Sequence, residues 1–313
     1  MIIVKIIGGL GNQMYQYAMG RHLAELNSTI LKLDATSFEA YRLHRYALCH
    51  FNIQEHFATV EEIYALKRKR WFRESETLAS IKRKLMIIPK TSDKFYLNNT
   101  YVYVKPFFYD PDIINLRGHI YLEGSWQSYQ YYQPIREILL REFTVKYPPN
   151  EQNKRITEQI RSTQSIGIHI RRGDKANDPT TNSVHGTCSK EYYNKAVECI
   201  LQRVENPVFF VFSDDCGWAK KNLRIQAPLL FVDHNNASNC FEDLRLMSCC
   251  KHNIIANSSF SVWAAWLNMN EQKIVIGPSN HYSPAWKRKL EEAIPDPEKR
   301  EHLMPETWIK LDY

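Results

Sequence analysis

No stretch of this 313-residue chain approaches the roughly 20 consecutive apolar residues that span a bilayer. No apolar leader precedes the first strand-like run, Met1-Ile2-Ile3-Val4, so no secretory signal is expected, and a cytoplasmic location is. The seven cysteines are odd in number and form no C-x-x-C pair, which argues against a disulfide framework and a zinc site alike. Internal repeats, low-complexity tracts and recognised nucleic-acid motifs are also lacking, and nucleic acid is not an expected partner. What is present is a 44% hydrophobic composition, enough for about two domains with separate cores.

The net charge of +7 is unevenly spread. Residues 67–90 hold nine Lys/Arg against two Glu, an excess equal to that of the whole chain, so the remainder is balanced. Lys67-Arg68-Lys69-Arg70 and Lys82-Arg83-Lys84 stand beside Trp71-Phe72 and Leu85-Met86-Ile87-Ile88. This pattern suits peripheral contact with an anionic membrane, on the inner face of the cytoplasmic membrane. A solvated helical insertion accounts for it equally well.

From Ser165 to Gly277 short apolar runs alternate with helical patterns. Strands are expected at 165–170, 208–212, 229–232, 254–256 and 273–276, with helices at 189–204, 215–224, 241–251 and 258–269. Regular alternation of this kind predicts an α/β fold with a parallel sheet, and residues 151–285 read as a Rossmann-like nucleotide-binding domain. Residues 1–150, with strands at 1–7, 29–34 and 120–123, read as a less regular α/β domain carrying the basic insertion 67–90. Tyr147-Pro148-Pro149-Asn150 supplies the loop signal between them. Residues 286–313 form a C-terminal tail, expected to pack back on the first domain.

The most telling motif is His169-Ile170-Arg171-Arg172-Gly173-Asp174-Lys175, directly after Ile166-Gly167-Ile168. It sets two guanidinium groups at a strand end, where open α/β sheets bind ligands, and the planar fork of arginine suits a diphosphate. A second candidate edge is Gly8-Gly9-Leu10-Gly11-Asn12, whose glycines permit a tight turn and close backbone approach after the first strand. Asn257-Ser258-Ser259 follows the apolar run Ile254-Ile255-Ala256 and opens a helix. Its hydroxyls and free N–H groups suit phosphate oxygens, though serine is also an ordinary helix cap. Phe212-Ser213-Asp214-Asp215 ends another strand, to line the same ligand or to cap the next helix.

These motifs together resemble the GDP-fucose-dependent fucosyltransferases. Gly8-Gly9-Leu10-Gly11-Asn12-Gln13-Met14-Tyr15-Gln16-Tyr17-Ala18 looks most like the bacterial α-1,2-fucosyltransferases of glycosyltransferase family 11. The likeness continues through Gly124-Ser125-Trp126-Gln127-Ser128, the His169-x-Arg171-Arg172-x-Asp174 block and the stretch from Asn253 to Trp263. It implies a GT-B-like architecture, two Rossmann-like domains facing a central cleft. It also implies inverting transfer of L-fucose from GDP-β-L-fucose to the 2-hydroxyl of a terminal β-galactoside, on an oligosaccharide or a lipid-linked glycan.

On that reading Arg171 stabilises charge on the leaving β-phosphate. His169 contacts the nucleoside, Ser258 and Ser259 touch the diphosphate with Asn257 beside them, and Gly11 lies along the donor. Asp243, fifteen positions before Ser258, accepts guanine's N1–H and N2 hydrogens, with Glu242 as rival. Arg172 and Asp174 form a supporting pair. Asn12 matches the amide that faces the reaction centre, where it orients a hydroxyl and removes no proton. A left-handed turn residue is the alternative there. The general base is open between His185, Asp34 and Glu123, and geometry decides first. No cofactor or metal is expected: Asp110-Pro111-Asp112 has a D-x-D spacing but reads better as a helix cap with proline in the first turn. The rival functions are an α-1,6 or protein-O fucosyltransferase using the same donor, and a catalytically silent nucleotide- or glycan-binding protein.

Overall fold

The computed structural model describes residues 1–41, 43–67, 95–98 and 100–312. All of the basic segment beyond Lys67, and with it the expected membrane contact, lies outside the described residues, as do the side chains of 95–98 and of Asp174. The chain divides into two compact units: Met1–Thr144 with Lys289–Leu303, and Val145–Arg288 with Met304–Tyr313.

Unit 1 is built on strands β1 (Ile2–Lys5), β2 (Leu31–Asp34), β3 (Phe95–Asn98), β4 (Tyr101–Tyr103) and β5 (Ile120–Glu123), in the order β2-β1-β5-β4-β3. All neighbours are parallel except the β3–β4 edge pair. Ile2, Ile3 and Val4 are fully buried, because a parallel strand covered on both faces requires an unbroken apolar run. Helix Leu10–Leu26 follows β1 and is buried along most of its length. The far end of this unit is tied to it by Glu142, which accepts from Tyr17 at 2.6 Å and pairs with Arg21 Nε at 2.9 Å.

Unit 2 holds β6 (Gln164–Ile170), β7 (Pro207–Ser213), β8 (Leu229–Val232), β9 (His252–Ile254), β10 (Val275–Pro278) and β11 (Ile309–Leu311), all parallel, in the order β11-β10-β9-β6-β7-β8. Ile166, Ile168, Phe209, Val211, Ile254 and Ile276 line its core. Helix Lys190–Leu201 covers them with Tyr192, Tyr193, Ala196, Val197 and Ile200, a 3–4 residue spacing that keeps one face inward. Each such side chain stabilises the fold by about 1.5–3 kcal/mol. Ser189 caps the helix by accepting from the Tyr192 N–H at 3.2 Å.

The α/β fold class is thus as expected, with local differences. The ladder of β9 ends at Ile254, two residues early, although Ile255 N still donates to Ile276 O at 2.9 Å. Two short helices, Gly173–Asn177 and Pro179–His185, follow β6, where the sequence pattern gave no element. The tail does not act as one piece: 289–303 belongs to unit 1, whereas Ile309–Leu311 forms the edge strand beside β10. All seven cysteines are free thiols. Among the described residues no helix is long and apolar enough to cross a membrane.

The sheet of unit 2 reverses its strand order once, between β6 and β9, whereas in unit 1 the steps from β1 to β2 and from β3 through β4 to β5 all run the same way across the sheet. Diverging connections leave a crevice beyond the strands' carboxyl ends at such a point, and ligands of open α/β sheets bind there.

Candidate active site

In unit 2 the reversal brings together two motifs that lie some eighty residues apart. β6 delivers His169 and Arg171, while β9 leads into Asn257, Ser258 and helix Ser259–Leu267. Lys175, buried in the helix after the arginines, donates its ammonium to the Asn257 carbonyl and joins the two sides. Sequence reading missed this role, although Lys175 stands inside the motif.

Ser258 makes no side-chain capping bond, so the serine-cap alternative does not hold, and the helix's first N–H groups have no side-chain cap. Their partial positive charge favours an anion. The Asn257 side chain has another task. Its amide donates to the carbonyls of His185 at 2.9 Å and Gly186 at 3.2 Å, and its oxygen accepts from the Cys188 thiol at 3.8 Å. It is a strut for the neighbouring loop and no free donor contact.

The arginines find their partners in the strand-end aspartates of β7. Arg171 Nη1 lies 2.7 Å from Asp214 Oδ2, and Asp214 Oδ1 accepts from the Arg172 N–H at 2.8 Å. The Arg172 guanidinium stacks on Trp218 at 4.3 Å and reaches Asp215 at 3.6 Å, so Asp215 and Trp218 support it. The expected Arg172–Asp174 pair rests on a side chain outside the described residues. Asp215 caps the next helix through the Trp218 N–H at 2.9 Å. A Cβ at Gly173 would stand 2.6 Å from Asp214 Oδ2, so a side chain there would push the Asp214 carboxylate aside.

His169 is buried against Phe260, with ring centres 5.5 Å apart, and its Nδ1 has no hydrogen-bond partner. Burial, then Arg171 and Lys175, push its imidazole down to about 3, so it is neutral near pH 7 and can only hydrogen-bond. Asp243 Oδ1 accepts from Asn235 at 2.7 Å, in a network that continues to Asn153. Burial pushes the Asp243 carboxyl up to about 6, Glu242 adds to this and Asn235 opposes it. The rival Glu242 pairs with Arg245 at 3.5 Å.

In unit 1 the loops after β1 and β5 carry the other two motifs. Gly8 takes the left-handed position at φ 90°, and Asn12 lies in the first turn of helix Leu10–Leu26, so Asn12 is no left-handed turn residue. Gly11 is buried in that turn. Asn12 Oδ1 accepts from Gln127 Nε2 at 3.1 Å, which makes Gln127 a partner that sequence reading did not name.

Two of the three base candidates have structural employment. Asp34 accepts from the Tyr121 and Thr36 hydroxyls, both at 2.6 Å. Glu123 accepts from Tyr101 at 2.5 Å and Lys5 at 3.0 Å; burial acts against its charge, but Lys5 and Tyr101 hold the carboxyl below its usual range. A low pKa and a committed partner both make a poor base. His185 ends helix Pro179–His185 with its ring 6.0 Å from that of Tyr282. Asp110 is the cap it read as, accepting from the Asp112 N–H at 3.1 Å with Pro111 at the first turn.

The arrangement offers cations and a helix N-terminus for an anion in unit 2, and amides and hydroxyls in unit 1. Comparison with known proteins gives this a context. The model of the family described as Glycosyl transferase family 11 matches residues 1–298. An alpha-1,2-colitosyltransferase of Escherichia coli is 31% identical over 99% of both chains. An O-antigen biosynthesis glycosyltransferase of Escherichia coli, WbnK, is 30% identical over 90% of this chain and 95% of its own. Among solved structures, NodZ alpha-1,6-fucosyltransferase soaked with GDP-fucose aligns with 85% of this chain and 91% of its own, at 13% identity and a TM-score of 0.49. With a family model that spans nearly the whole chain and full-length relatives at this identity, the protein belongs to glycosyl transferase family 11.

Proposed function

We propose that the protein transfers L-fucose from GDP-β-L-fucose, with inversion, to the 2-hydroxyl of a terminal β-galactoside, on an oligosaccharide or a lipid-linked glycan. The observation that carries this reading is the crevice between β6 and β9, where Arg171, Lys175 and an uncapped helix N-terminus surround the neutral His169.

The bond from fucose C1 to the β-phosphate oxygen breaks and its electron pair leaves with GDP. Negative charge therefore grows on that phosphate, and Arg171, held by Asp214, lowers the barrier by meeting the charge as it forms. Ser258 and Ser259 with the first N–H groups of their helix hold the diphosphate. Asp243 reads guanine, and His169 hydrogen-bonds the nucleoside as a neutral ring. Asn12, steadied by Gln127, orients the acceptor hydroxyl. No step in this scheme draws on a divalent metal.

The test is GDP release from GDP-fucose in EDTA, with and without lactose, followed by linkage analysis of the trisaccharide. Lactose-dependent release and a 2-linked fucose are expected; no binding of GDP-fucose would sink the donor assignment. The full-length relative named for colitosyl transfer favours a second reading, in which the sugar is colitose. A higher kcat/KM with GDP-colitose than with GDP-fucose would select it.

A further inference from the structure

A cluster in unit 1 has no part in the scheme above, and the scheme lacks a base. Ser125, in the loop after β5, donates its hydroxyl to Glu301 Oε1 at 2.6 Å, and the Glu301 N–H donates to the Phe107 carbonyl at 3.0 Å. Two aromatic residues beside this carboxyl stand in the left-handed region, Trp126 at φ 57° and Phe107 at φ 75°. Among the described residues only Ser28 and Asn206 otherwise do so without being glycine. Such strain in bulky side chains persists only where the surroundings hold it, and it gathers at working sites.

Three enclosed polar atoms here have no hydrogen-bond partner: Glu301 Oε2, Trp126 Nε1 and His302 Nε2. Buried polar atoms are normally paired, and an acceptor, a donor and a ring nitrogen within two short loops suit a ligand that carries several hydroxyls. Gln127 connects the cluster to the motif after β1: its side chain holds Asn12 at 3.1 Å, and its backbone N–H acts on the Glu301 carboxyl.

We propose, building on the fucosyl-transfer reading, that Glu301 is the general base of the reaction and that Trp126 and His302 bind the acceptor sugar beside it. As the acceptor oxygen bonds to fucose C1 and the C1–O bond to phosphate breaks, the hydroxyl proton passes to Glu301 Oε2. Burial pushes this carboxyl up to about 7, against the pull of the Ser125 hydroxyl and the N–H groups of Gln127 and Phe107, a value that suits a base at neutral pH. Its titratable neighbours are Tyr131, itself raised mainly by burial and in part by Glu301, with Tyr109 and His302. The adjacent Arg300 is turned to the carbonyls of Ile294 and Pro295.

The experiment compares the full-length wild type with Glu301→Gln and Trp126→Phe, using GDP-fucose and lactose between pH 5 and 9. The wild type should gain kcat with an apparent pKa near 7. Glu301→Gln should lose kcat at least 100-fold along with that limb, while binding GDP-fucose within about twofold. Trp126→Phe keeps an aromatic face while removing the N–H and shortening the side chain, and should raise the lactose KM about fivefold with kcat nearly unchanged. A Glu301→Gln enzyme that keeps the wild-type kcat and pH limb overturns this proposal alone. A wild type that neither binds nor turns over GDP-fucose overturns the fucosyl reading, and the proposal with it. Should Glu301→Gln fail to fold, an unchanged lactose KM in Trp126→Phe still counts against the site.

Discussion

The two sheets carry opposite chemistry at the carboxyl ends of their central strands. Between β6 and β9 the sheet presents arginine, a buried lysine and an uncapped helix end, and even its histidine is kept neutral, by burial first and then by the cations around it. Between β1 and β5 the cations are engaged elsewhere: Lys5 is paired with Glu123, and what faces the motifs is Asn12, Gln127, Ser125 and a carboxyl that burial keeps near neutrality. A diphosphate leaving group needs fixed positive charge, whereas an uncharged sugar hydroxyl needs hydrogen-bond partners and a proton acceptor. Each sheet offers its strand ends, and side chains decide what those ends can hold.

The sharpest way to break this comparison is Arg171→Ala. Loss of the cation that meets the developing charge should cost about 10³-fold in kcat, the size expected for removing one strong electrostatic contact. Circular dichroism and the melting curve should stay as in the wild type, since Arg171 lies at a strand end and not in the core. Native turnover in this variant would end the diphosphate assignment. Gly173→Ala should come next. Its Cβ would displace Asp214, loosen the hold on Arg171 and lower kcat roughly 10- to 100-fold, the worth of a charge-assisted hydrogen bond of about 1.5–3 kcal/mol. Combined with Asp214→Asn, it should add almost nothing, because both act through the same guanidinium; additive losses would show that they do not. On the other side of the comparison, Asn12→Ala should cost about tenfold in kcat with lactose and leave GDP affinity unchanged. A weakened GDP affinity would move Asn12 to the donor's side of the chemistry.

How much of this could be read beforehand depended on how local each signal was. The sheet of unit 2 was legible because strands buried on both faces are unbroken apolar runs between amphipathic helices. The arginine block was legible for the same reason, since a strand end marks where ligands bind. Strand β11 was not: Ile309-Lys310-Leu311 is three residues long and carries no period. Lys175 looks in sequence like any surface lysine, and only the fold brings its ammonium to a carbonyl 82 residues away. Asp34 and Glu123 stood as base candidates because their partners sit on other strands, Tyr121 for one and Lys5 for the other. Glu301 stands among charged residues of the tail and is paired with Ser125 across 176 positions, so nothing local in the sequence singles it out.

The smallest expected effect concerns the guanine selector, and it separates the two units by pH. Asp243 must be a carboxylate to accept guanine's two hydrogens, and burial puts its titration at about 6. Affinity for GDP-fucose should therefore be level above pH 7 and fall as the pH drops through 6, by about fourfold between pH 7 and 5.5. The ligand is well chosen, because its diphosphate is esterified at both ends and does not titrate in this range. His169 is silent there too, its imidazole having been pushed down to about 3. Asp243→Asn should bind more weakly and without this slope. Glu301→Gln should keep the slope, since its carboxyl belongs to the acceptor chemistry. Calorimetric titration of both variants at the two pH values makes the distinction. If the slope vanished in Glu301→Gln and survived in Asp243→Asn, the two carboxyls would have to exchange roles, and unit 1 rather than unit 2 would answer for the nucleotide.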